Sequence, residues 1–257
     1  MSDLPGHDIN YIAQSGVLSA LVDANGKPIP PLHLVADFAG GGLLLTNGIL
    51  AALFERTKSG RGQVLDLSMS EGSAYASSFL WQMGHMFTES PGQNMLDGGA
   101  HFYGTYETKD NRYMAVGAIE PQFYAVLIEK LGLSNEIDLP GQMDSEKWPE
   151  MKKLFEHTFR QKTQLDWSKI FEGSEACTSP ILTFEEAAMD PHNVAREAFF
   201  DAEGVTVPSP QPIFSRSKCE RVSVRPGVGE NTKDVLQMEL QYSEEQIEKL
   251  FRDGAIS

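Results

Sequence analysis

Apolar residues recur at helical spacing from Leu43 onward, with Leu43, Leu44, Ile49, Leu50, Leu53 and Phe54 falling on one broad face. The run follows Gly40-Gly41-Gly42 and stops at Ser59-Gly60-Arg61-Gly62, where glycine can supply a left-handed cap. One strong helix is predicted between the two glycine clusters. Ahead of it, Gly6 to Gly16 reads as a short helix after a turn. Behind it the period changes to two over Gln63 to Met69, which predicts a strand, and a further helix is expected over about 70–87. Helix, strand and helix in that order predict an α/β layer.

The pattern changes at Thr88 to Ala100, a Gly/Asn/Asp-rich stretch that reads as a linker or loop. Aromatic and β-branched runs over 102–108 and 113–118 then flank Lys109-Asp110-Asn111-Arg112, a hairpin signal. Pro121, at a favoured first helical position, opens a helix through Phe123, Leu127 and Leu131 to Gly132. Helices are predicted over 145–160 and 164–172; Thr163 with Asp166 resembles a capping box with Asp in place of Glu. Ile181 to Met189 reads as a strand-to-helix passage, and the proline-rich stretch Val205 to Phe214 as an extended connection without regular structure. Ser243-Glu244-Glu245-Gln246 is a good capping box for a last helix. The expected division is a first α/β segment over 1–95, a small α+β domain over 96–190 and a return segment over 191–257. The first segment is too short for a complete doubly wound domain and should need partner strands.

Charge narrows the partners. The 36 acidic residues against 21 basic ones give a net charge of −15, the wrong sign for neutralising nucleic-acid phosphates. No run of 18 uninterrupted apolar residues occurs, so no membrane span is expected. The first residues lack the basic flank and apolar stretch of a signal peptide, and the last three do not match a peroxisomal tail. Cys177 and Cys219 are too few and too far apart for a disulfide framework, and read as free thiols in a reducing compartment.

Three polar clusters could carry chemistry. His7, in Gly6-His7-Asp8-Ile9-Asn10-Tyr11, sits at a predicted helix start, where a cap residue or a core histidine is the default. Asp37 precedes Gly40-Gly41-Gly42 and is flanked by Val35, Ala36 and Phe38; an N-cap carboxylate is its default. Glu120, just before Pro121, invites the same reading. The glycine triplet could cradle an anion on free amides, but close packing is the better account of it. The six histidines (His7, His33, His85, His101, His157 and His192) have no paired metal-ligand spacing, and no metal site is expected. Dinucleotide-fold, Walker and nucleophile-elbow glycine motifs are absent from the sequence.

The strings GHDINYIAQSGVLSA, PIPPLHLVADFAGGG, GILAALFERTKSGRGQVLDLSMSEGS, NMLDGGAHFYGTYET, YMAVGAIEPQFY and CTSPILTFEEA, in this order, resemble the α-methylacyl-CoA racemases of the family III CoA-transferase superfamily. The resemblance runs from Gly6 to about residue 215. It implies a partial family III CoA-transferase fold: an incomplete doubly wound large domain plus a small α+β domain.

It also implies the chemistry. The family inverts the α-carbon of 2-methyl-branched acyl-CoA thioesters, removing a proton from one face and returning one to the other. By motif, His7 and Asp37 are the opposing acid/bases and Glu120 supports the histidine through a hydrogen bond. The N–H of Asp8 is the candidate donor to the enolate oxygen, and Tyr11, Gly40 and Gly41 are candidate substrate-binding positions. No separate cofactor is implied, CoA being part of the substrate. The histidine motif lies well over a hundred residues into the family's chains, so the amino-terminal CoA-binding half is expected to be absent, and CoA esters to bind poorly. An interlocked homodimer, or association with a full-length subunit, is the implied assembly, and mitochondria or peroxisomes the implied compartment. Two other readings compete: a CoA-transferase using Asp37 as nucleophile, for which His7 would be unnecessary, and a non-catalytic dimerising fragment.

Overall fold

The computed structural model describes residues 4–84, 89–134, 139–221 and 226–256. The chain divides into two compact units, Met1–Ile181 and Leu182–Ser257. The break expected near residue 95 falls inside the first unit.

The first part of that unit is helical. Helix α1 (Asp8–Gln14) leads through a short 3₁₀ turn, Val17–Ala20, to a long helix whose first ten residues, Leu34–Leu43, are π-wound and whose remainder, α2 (Leu44–Ser59), is regular. The helix therefore starts six residues before Gly40, and the glycine triplet lies inside it. Gly40 is there for contact: a Cβ on it would come within 2.5 Å of the Ser73 nitrogen, and one on Gly72 within 2.0 Å of the Gly40 oxygen. That approach seats the π-wound turn on α3 (Met69–Ala76), which α4 (Ser78–Gln82) follows. The helix ends as expected at Gly60, φ 73°, whose N–H reaches the Arg56 carbonyl at 2.9 Å.

Of Gln63 to Met69, read above as a strand, residues 63–68 have no regular structure and Met69 begins α3. A strand exists only with a neighbour to take its backbone bonds, and none of the described residues pairs with this one. The helix expected over 70–87 is α3 and α4 with a break at Ser77; residues 85–87 lie outside the described residues.

The second part of the unit builds a core. Strands β1 (Tyr103–Glu107), β2 (Tyr113–Gly117) and β3 (Thr178–Pro180) form an antiparallel sheet in that order, with Tyr103 opposite Gly117 and Ala115 opposite Ser179. Helices α5 (Pro121–Leu131), α6 (Trp148–Phe159) and α7 (Gln164–Phe171) complete it. Phe159 is fully buried, stacks on Tyr106 at 5.0 Å and takes the Trp167 indole N–H on its carbonyl at 2.8 Å. The buried Gln164 amide donates to the carbonyls of Tyr113 and Ile181, at 2.7 and 3.0 Å, tying the ends of β2 and β3 together. At the start of α7 the Thr163 hydroxyl accepts from the Asp166 N–H and donates to the Asp166 carboxylate, so the shorter acid bonds the cap side chain.

The second unit holds α8 (Phe184–Met189), α9 (Pro191–Ala195), the hairpin β4 (Phe199–Ala202) and β5 (Val205–Pro208), α10 (Thr232–Asp234) and α11 (Glu244–Arg252). Over Val205–Pro208 the hairpin corrects the reading of Val205 to Phe214 as an extended connection without regular structure, while 209–214 has no helix or strand. Its only proline within β5 is Pro208, the last strand residue, where a missing donor costs least. Ser243 and Gln246 make the reciprocal capping box.

Candidate active site

The site is assembled from the amino terminus of α1 and the π-wound turns. Tyr11 packs its ring against Gly6 so closely that a Cβ there would lie 3.0 Å from the ring. His7 is the residue before α1; its N–H donates to Asn10 Oδ1 at 3.0 Å, and its carbonyl accepts from the Asn10 and Tyr11 N–H groups. It caps with its backbone while its imidazole is exposed, so it is not a core histidine.

Asp8 is the opposite, 2% exposed. Its Oδ2 accepts from the Ala36 N–H at 2.7 Å and the Asp37 N–H at 3.0 Å. Bonds from amides to an ionised carboxylate are among the stronger ones in proteins. They fix Asp37, 29 residues away, beside the residue that follows His7. The sequence reading assigned Asp8 only its N–H, which takes no acceptor among the described residues; the carboxylate is what joins the two acid/base candidates.

Asp37 is the fourth residue of its helix, not the cap. Its side chain is 38% exposed and Phe38 62%, so the apolar neighbours in sequence do not enclose it. One carboxylate oxygen, Oδ2, lies 2.8 Å from His33 Nδ1, one helical turn back. Leu32 and His33 both hold left-handed backbone, φ 52° and 63°. For non-glycine residues this costs on the order of 1–3 kcal/mol each, and it delivers the His33 ring to Asp37. No motif flagged His33; the i, i+4 spacing to an acid was its only signal. Asp8, His33 and Asp37 each present an atom within 4.8 Å of the others, and the hydrogen bonds just described account for that clustering.

Gly40 and Gly41, expected to bind substrate, are buried in packing: a side chain on Gly41 would meet the Ala36 carbonyl at 2.8 Å and the Met69 side chain at 3.3 Å. Glu120 precedes α5, is exposed and makes no capping bond with its side chain. Its neighbour is Cys177, whose thiol is pushed up by burial and then by the Glu120 and Glu175 charges. Among the described residues Glu120 makes no hydrogen bond with His7. Both cysteines are free.

Two residues before His33, Pro31 borders an open cleft of about 690 Å³ lined by Leu21, Val22, Ile29, Phe79 and Leu80, with Glu89 on its wall. Its size and apolar lining suit a small-molecule site.

Residues 1–232 match the family model described as CoA-transferase family III. The chain belongs to that family. Within it the chain is 54% identical to the α-methylacyl-CoA racemase of Mus musculus over 259 residues, 99% of this chain and 68% of the mouse protein. It is 50% identical to the α-methylacyl-CoA racemase of Homo sapiens, over 98% of this chain and 67% of the human protein. In fold it is similar to a CaiB/BaiF family protein from Brucella suis, with a TM-score of 0.73 at 19% identity, over 92% of this chain and 64% of that one. The family III chain described here thus spans about two thirds of each of these relatives.

Proposed function

We propose that the chain inverts the α-carbon of 2-methyl-branched acyl-CoA thioesters by moving protons at opposite faces of that carbon. The observation that carries this reading is the double hydrogen bond of Asp8, which places Asp37 beside the turn bearing His7. Inversion needs two acid/bases across one carbon: one takes the α-proton as the other gives one back. By motif His7 and Asp37 are the pair, and the exposed His7 and half-exposed Asp37 are both open to a ligand. The electron pair released from carbon passes to the thioester carbonyl oxygen, and the Asp8 N–H, which has no acceptor among the described residues, is the nearest backbone donor in sequence to His7 that could donate to it. The apolar cleft beyond Pro31 suits the acyl chain, and the thioester needs no further cofactor. Gly40 and Gly41 serve by letting the helix of Asp37 sit on α3.

Glu120 enters this scheme through a second chain. In one chain it does not reach His7, and the helix Leu34–Ser59 leaves Leu43, Leu50 and Phe54 more than 60% exposed. That 26-residue helix is long and apolar enough to cross a membrane by length and composition. The polar bonds of Asp37 within it favour a protein cover, and an interlocked dimer of family III chains would supply both the cover and Glu120.

Inversion and CoA transfer separate in one pair of assays. One enantiomer of a 2-methylacyl-CoA is incubated in deuterated water, with and without a free carboxylic acid acceptor. Inversion with α-deuteration and no acceptor-dependent CoA transfer is expected; transfer without exchange makes Asp37 a nucleophile and overturns the proposal.

A further inference from the structure

Asp37 is gripped twice, at its amide by Asp8 and at one carboxylate oxygen by His33. The second grip has a chemical consequence that rests on the racemase reading above. Oδ2 is occupied by the His33 ring at 2.8 Å, while Oδ1 has no partner among the described residues. A carboxylate that exchanges a proton with carbon can use either oxygen, and free rotation about its last bond would scramble them. We infer that His33 is a positioning residue that holds Oδ2 and thereby makes Oδ1 of Asp37 the oxygen that trades protons with the α-carbon.

The step balances without any further reagent. The α C–H bond breaks, its proton goes to Oδ1, and its electron pair moves into the enolate; His7 then gives a proton to the opposite face of the same carbon. In the reverse direction Oδ1 returns its proton. Throughout, the Nδ1–H of His33 donates to Oδ2, which remains an acceptor whether or not Oδ1 is protonated. The left-handed backbone at Leu32 and His33 turns the chain into the helix and brings the ring within reach of Asp37.

The test compares wild type with His33→Ala and His33→Asn, the latter offering an amide N–H from a similar distance. Each enantiomer of a 2-methylacyl-CoA is incubated separately in deuterated water, scoring inversion and the deuterium in recovered starting material. His33→Ala should lower inversion about 100-fold, the scale of losing a reacting group's placement. Deuterium uptake into the enantiomer whose proton faces His7 should persist within about threefold, because that half-reaction does not use Asp37. His33→Asn should recover most of the inversion. Equal loss of exchange at both faces, an unchanged rate in His33→Ala, or no recovery in His33→Asn would overturn the inference while leaving the racemase reading intact. A wild-type chain that neither inverts nor exchanges overturns the racemase reading, and the inference with it. Nitrogen-15 spectra of the ring give a readout independent of turnover: Nδ1 of His33 should carry the proton and shift in Asp37→Ala, and a ring protonated only at Nε2 contradicts the geometry.

Discussion

Residues 8–82 and 100–181 belong to one compact unit, yet they spend their apolar residues in opposite ways. The later stretch closes on itself: Tyr106, Met114, Leu127, Phe155, Phe159 and Trp167 are at most 2% exposed and pack as one cluster. The earlier stretch holds the paired acid/base candidates but buries little: α2 has no buried residue, and Val64 is 94% exposed. What fixes its geometry is polar and close-contact: the Asp8 carboxylate, the Gly40–Gly72 approach and the His33–Asp37 pair. In one region stability comes from apolar burial and in the other from a few directed bonds, so substitutions should separate them. Chemistry should fail in the first region with the fold retained, and folding should fail in the second.

The largest effect expected is on turnover. Asp37→Ala should cut inversion by about 10²–10⁴-fold, the usual contribution of a positioned acid/base, with the melting temperature little changed because the side chain is half-exposed. A matching collapse in melting temperature would erase the contrast. In the second region, Phe159→Ala removes a fully buried ring that meets Tyr106, Trp167 and Phe171. Urea unfolding should show a loss of about 3–5 kcal/mol, typical of core aromatic truncation.

The second region also carries a pH dependence set by a buried histidine. His101 is fully buried, its Nε2 bonded to the Tyr124 hydroxyl at 2.8 Å while Nδ1 has no partner among the described residues. Burial pushes it down to about 4. The unfolded chain, with an ordinary histidine near 6.5, gains its proton first as pH falls. Stability is therefore full above about pH 6.5 and declines toward pH 4, by up to about 3 kcal/mol from this group. His101→Phe should flatten that part of the stability curve; an unaltered slope would show that the imidazole is not held neutral. The smallest effect belongs to the exposed face. Phe54→Ser, at a position 64% exposed, should move the unfolding free energy of a single chain by no more than about 0.5 kcal/mol. If the dimer proposed above forms, sedimentation should show it weakened by the same change. A large loss of monomer stability would mean that the face is already covered within one chain.

Legibility followed the same division. The helix ending at Gly60, the hairpin around 109–112, the helix from Pro121 and the box at Ser243 were readable because their signals are local: a period, a cap, a turn. The strand expected at Gln63 to Met69 and the connection expected at Val205 to Phe214 were misread because strand formation depends on a partner. The first alternates properly but has no neighbour among the described residues, and the second carries prolines but pairs over Val205–Pro208 with Phe199–Ala202. In the site, motif resemblance pointed to His7, Asp37 and Glu120. It did not point to the Asp8 carboxylate or His33, whose roles arise from contacts across 29 residues and from a left-handed turn. The Asp8 contact leaves no periodic trace, and His33 leaves only its i, i+4 spacing to an acid.

The most direct measurement follows one enantiomer of a 2-methylacyl-CoA in deuterated water with the wild-type chain, separating the stereoisomers before mass spectrometry. Transfer between His7 and Asp37 on opposite faces gives inverted product carrying one deuterium at the α-carbon, appearing at the rate of inversion. Inverted product without deuterium would require the same proton to return to the far face, and would contradict a site built from two separate acid/bases.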